Sequence, residues 1–121
     1  MPSDHDMQAA AFLLRRQEME ARAALRPMIE AQGVAALKRL LPVAEGDTTQ
    51  SRRIARFLLG LYNGPRFPFD LTDLRGIEHN LFDDCLTVLH MDHQPEREVH
   101  RYFEGGGARF EALARHWGWT E

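Results

Sequence analysis

With 121 residues, 44% of them apolar and 27% charged, the chain has the make-up of one globular domain rather than of a disordered or membrane-embedded polymer. Its net charge of −3 is modest and uneven: residues 1–66 carry ten Lys/Arg against seven Asp/Glu, and residues 67–121 carry five against eleven. Neither half approaches the basic excess of a nucleic-acid-binding domain, and the single cysteine, Cys85, excludes an intrachain disulfide.

Ser3 and Asp6 stand at capping-box spacing and open a long helical segment. Between Met7 and Arg26 there is no Gly or Pro, and Ala, Leu, Arg, Gln, Glu and Met dominate. Met7, Ala11, Leu14, Ala21, Leu25 and Met28 recur every three or four residues or at multiples of that step, a stripe broken by Glu18 and thin in large side chains. Pro27 is expected to kink or restart the helix, because its ring removes an amide donor and crowds the preceding turn. A second stretch with Ile29, Val34, Leu37, Leu40 and Leu41 follows, and Pro42 is expected to end it. Residues 1–45 therefore read as an N-terminal helical arm and residues 46–121 as a compact helical domain.

Residues 42–50 read as a connector in which Thr48 and Thr49, with Ser51 just beyond, offer caps for the next helix. That helix, residues 51–62, is the most apolar: Ile54, Phe57, Leu58 and Leu61 share one face, widened by Ala55, Leu59 and Tyr62. Arg52, Arg53 and Arg56 fill its narrow polar strip. Asn63-Gly64-Pro65 stops it. Residues 66–71 alternate like a strand, but Pro65 and Pro68 lack amide donors, so the segment is expected to be an extended lace pressing Phe67 and Phe69 onto the core. Asp70 or Thr72 caps a short turn. A helix over residues 77–91 is expected to point Ile77, Leu81, Phe82, Cys85, Val88 and Leu89 one way. Pro95 fits the first turn of a further helix to Glu104, and the run Gly105-Gly106-Gly107 precedes a last helix carrying Phe110, Leu113, Ala114 and Trp117. The fold class is all-α: a small bundle of five or six helices with no substantial sheet.

The residue pattern gives little support to catalysis. Cys85 lies on an apolar helix face, where burial raises a thiol pKa. Ser3 and Ser51 both sit at cap positions, and the glycine triplet lacks the Lys-Ser/Thr of a phosphate loop. His90, Asp92 and His93 with His100 are legitimate metal-ligand types, but their spacing matches no closed motif, and structural histidine is the commoner outcome. No cofactor is expected. Arg52, Arg53 and Arg56 before a Gly-containing turn suggest half of a helix-turn-helix, yet two prolines and several acids follow where a recognition helix would be basic. Pairing of these arginines with Asp73, Glu78 or Asp83/Asp84 within the fold is the simpler expectation. No apolar run reaches the ~18 residues of a membrane span, and the acidic start at Asp4 and Asp6 is unlike a secretory signal, so a cytoplasmic location is expected.

The stretch Arg53 to Gly76, with its run Tyr62-Asn-Gly-Pro-Arg-Phe-Pro-Phe69, resembles a family of small proteins encoded on bacterial conjugative plasmids and integrative elements. Phe82 to Asp92, Glu98 to Phe103 and the segment from the glycine triplet to Trp117 carry the same resemblance, which covers about residues 50–118. It implies a setting rather than an activity: an accessory role to a mobile element in the bacterial cytoplasm. The expected function is a non-catalytic interaction module acting on a protein partner or as a homo-oligomer. Leu14, Arg15, Arg22 and Leu25 of the arm and Arg52, Arg53 and Arg56 are the candidate interaction residues. The alternatives are a DNA-binding regulator using the Arg-lined helix and a metal-dependent protein using His90, Asp92, His93 and His100.

Overall fold

The computed structural model describes residue 1 and residues 3–119. It contains four α-helices: α1 (Asp4–Ala44), α2 (Thr49–Tyr62), α3 (His79–Asp92) and α4 (Gly106–His116). Two 3₁₀ turns, Leu71–Gly76 and Val99–Tyr102, lie on either side of α3, and the described residues contain no strand. The protein is a small all-α bundle.

The helix boundaries follow from local chemistry. Ser3 Oγ accepts from the Asp6 amide at 3.2 Å while the Ser3 amide donates to Asp6 Oδ2 at 3.3 Å, closing a capping box on α1. Thr48 Oγ1 accepts from the Ser51 amide at 3.0 Å and caps α2. Asp70 accepts from the Thr72 amide at 2.9 Å and starts the first 3₁₀ turn.

Two prolines expected to interrupt the first segment do not. Helix α1 runs unbroken for 41 residues through Pro27 and Pro42. Each ring leaves one carbonyl four residues back without its amide partner, and those carbonyls belong to Ala23 and Lys38, both exposed, where water can satisfy them. The helix expected from Pro95 to Glu104 is also absent, and only the 3₁₀ turn Val99–Tyr102 forms there. The Gln94 carbonyl instead accepts from Arg26 Nη2 at 2.6 Å, and the Arg97 amide is held by the Tyr102 hydroxyl at 3.3 Å. Those side-chain bonds take up the groups a first helical turn would offer.

The core gathers Leu37, Leu40 and Leu41 of α1 with Ile54, Leu58 and Leu59 of α2, all fully buried. Cys85 and Val88 of α3, Val99, and Phe110 of α4 close it. Helix α2 is central, as its wide apolar face implies, and Phe67 and Phe69 of the lace press onto it, with the Phe57 and Phe69 rings edge to face at 5.7 Å. On α3 the buried set is Leu81, Cys85, Val88 and Met91, whereas Leu89 is exposed along with Leu86. The apolar arc is wider than the face α1 can cover.

Helices α1 and α3 pack antiparallel. Arg39 meets Asp84 at 2.7 Å near one end, Gly33 lies against Met91, and Arg26 reaches Glu96 at 3.1 Å near the other. Burial on α1 starts only at Gly33, and the part before Arg26 extends beyond the bundle: every described residue from Ser3 to Leu25 is exposed.

Candidate interaction surface

The arm is the least covered part of the molecule and one of its most apolar surfaces. Met7, Phe12, Leu13, Leu14, Met19, Leu25 and Met28 are all between about half and seven-tenths exposed. At ~1.5 Å per residue, residues 4–25 project about 33 Å of helix into solvent. Most helical stability in proteins comes from tertiary packing, which this segment lacks, and its apolar side chains gain nothing from hydration. A partner that covered them would supply the missing stabilisation.

The phase of the helix decides which face could be covered. With about 100° per residue, the positions of α1 buried in the bundle centre on one direction, and the stripe Met7, Ala11, Leu14, Ala21, Leu25 and Met28 centres about 100° away from it. The stripe therefore does not continue the core-facing side of α1. Arg15 and Arg22 flank it, and neither they nor Glu18 form an ion pair or side-chain hydrogen bond within the described residues, whereas Arg16 pairs with Glu20 at 3.3 Å. Leu14, Arg15, Arg22 and Leu25 thus share one exposed surface.

Where the arm leaves the bundle it forms one wall of a groove of roughly 470 Å³. Leu25 and Ile29 line it together with Met91, Arg22, His90 and His93. Arg26 closes one side by donating to Gln94 Oε1 at 2.8 Å and to the Gln94 carbonyl. Arg22, Leu25, His90 and His93 are singled out in the sequence for separate reasons, but their meeting in one groove is not legible there, since it arises from the crossing of α1 and α3. The exposed Phe12 and Met19 could have been found by extending the core phase of α1 backwards.

The three arginines of α2 do not act as one patch. Arg53 Nη1 donates to the Gly76 carbonyl at 2.6 Å, beside Gln50 Nε2 on the same oxygen at 2.7 Å. Arg56 lies over the Trp119 ring at 4.3 Å, with Arg52 at 5.9 Å. The expected pairing of these arginines with the acidic edge is replaced: Asp84 is taken by Arg39, through two bonds at 3.1 and 2.7 Å.

Among the described residues, no three His, Cys, Asp or Glu side chains converge closely enough to hold a metal ion. His90 and His93 are exposed and line the groove. Asp92 is half-buried, and burial, with the Glu98 charge adding to it, pushes its carboxyl pKa up. His100 packs edge to face on Tyr62 at 5.1 Å. Cys85 is fully buried, and burial followed by the nearby Asp84 charge pushes its thiol up to about 12.

No helix among the described residues is long and apolar enough to cross a membrane. No curated protein and no solved structure matches the chain. A family model does match, over residues 34–118, and it begins where α1 enters the core, so it spans the bundle and leaves the arm outside. The chain belongs to this family, a family of unknown function (DUF7673).

Proposed function

We propose that the protein is a non-catalytic protein-interaction module, an accessory of a bacterial mobile genetic element, with the N-terminal half of α1 as its docking element. One observation carries the reading: every described residue from Ser3 to Leu25 is exposed although the segment holds large apolar side chains along its length. A concentration of exposed large apolar side chains on one segment marks an interaction site. The mobile-element setting and the bacterial cytoplasm come from the resemblance over residues 50–118, and the arm adds the surface through which an accessory role would be exercised.

The test is a comparison of two full-length baits in a donor cell carrying the parent element. The native chain should retain a specific protein, or a second copy of itself, that a Leu14→Asp/Leu25→Asp chain loses. Equal capture by both, or capture by neither together with a monomeric native chain, would contradict the reading.

A further inference from the structure

The arm's stripe has a stricter order than a loose apolar face. Met7, Leu14, Ala21 and Met28 are seven residues apart, and Ala11, Glu18 and Leu25 interleave at the same spacing. These are the d and a positions of three heptads, the seam along which helices pair by knobs-into-holes packing. The seam is a quarter turn from the centre of the buried side of α1, so a second helix can lie along it without displacing α2 or α3.

The charges select what that helix is. A parallel second copy would set Glu18 against Glu18 in the middle of the seam. An antiparallel copy avoids this. With Leu14 opposite Leu25 of the other copy, Ala11 falls opposite Met28, so a small residue receives a large one. Glu18 then falls opposite Ala21, next to Arg22 of the other copy. Neither Glu18 nor Arg22 has an ion-pair partner among the described residues, and the two-fold arrangement forms the Glu18–Arg22 pair twice, giving each side chain one partner. The seam also runs into the groove at the arm's root, which shares Leu25, so the N-terminal turns of one copy reach the groove of the other.

We infer that the arm pairs antiparallel with the arm of a second copy of this chain, in the register that sets Leu14 against Leu25. This rests on the arm being the docking element and names its occupant. The self-complementary contact closes as a dimer and leaves both bundles outside the seam.

The experiment uses full-length protein. Sedimentation equilibrium of the native chain should show a monomer–dimer equilibrium, weakened at least tenfold by Glu18→Arg or by Arg22→Glu alone and restored by the two together. Oxidising a mixture of Leu14→Cys and Leu25→Cys chains should give the mixed dimer in preference to either homodimer. The native Cys85 is buried and does not compete. A monomer at every concentration overturns the inference, as does a Leu14→Cys homodimer formed in preference to the mixed one. If a monomeric native chain still captures another protein that the Leu14→Asp/Leu25→Asp chain loses, the docking reading stands and self-pairing alone is overturned.

Discussion

Gly33 of α1 faces Met91 of α3 so closely that a Cβ built on the glycine would lie 2.5 Å from both the Met91 Cβ and its sulfur. This is where the exposed arm becomes part of the bundle. Glycine in a helix interior ordinarily costs about 1 kcal/mol relative to alanine. At this crossing the balance reverses, because the Met91 Cβ is anchored to the backbone and cannot swing aside. Gly33→Ala is therefore expected to lower stability by ~1–3 kcal/mol in urea unfolding, the cost typical of overpacking. Stabilisation by Gly33→Ala would show that the two helices separate easily.

Substitutions on the arm should behave in the opposite way. Leu14→Ser and Met19→Ser are both at positions at least 60% exposed, so dilute protein should unfold within about 0.5 kcal/mol of the native chain. Their effect should appear in association instead. A loss of several kcal/mol at low concentration would mean that the arm is part of the monomer's core.

Much of the bundle is legible in the residues, and the reasons are local. The wide apolar face of α2, the donor-less prolines of the lace, the Ser3 and Thr48 caps and the inert setting of Cys85 depend on neighbours a few positions away. The unbroken α1 is not legible in the same way. Whether Pro27 breaks a helix depends on whether the carbonyl it frees can reach water, which is a tertiary fact. The same holds for the segment after Pro95, whose backbone is captured by Arg26 from α1. The arm's stripe is visible in the sequence, but its separation from the domain appears only when its phase is compared with that of Leu37, Leu40 and Leu41.

An acid-sensitive contact ties the lace side of α2 to α4. Glu111 accepts from Arg66 at 2.7 and 3.1 Å and from the Tyr62 hydroxyl, and these bonds, Arg66 first, hold its carboxyl at about 2 instead of the ordinary 4.5. A depressed folded-state pKa contributes stability that is complete above the ordinary value and is lost as the pH falls through the folded one. Stability should therefore decline between about pH 4.5 and pH 2, with this carboxylate supplying under about 1 kcal/mol because a third of it meets solvent. In Glu111→Gln that portion of the pH dependence should vanish, while an unchanged acid limb would place the titration elsewhere.

The thiol of Cys85 gives an independent check on the core. Fully buried and pushed up to about 12, it should resist a thiol reagent at pH 8 in native protein and react at once in denaturant. Rapid labelling of the native chain would mean that α3 opens readily from α1.

Hydrogen exchange on the full chain tests the docking role of the arm most directly. In dilute protein without a partner, amides of residues 4–25 should exchange quickly, as expected of a solvent-bathed helix, while those of α2 exchange slowly. Raising the concentration, or adding a protein captured through the arm, should slow residues 4–25 and leave α2 unchanged. Protection of residues 4–25 that is already strong in the dilute chain, and indifferent to concentration and partner, would contradict the account.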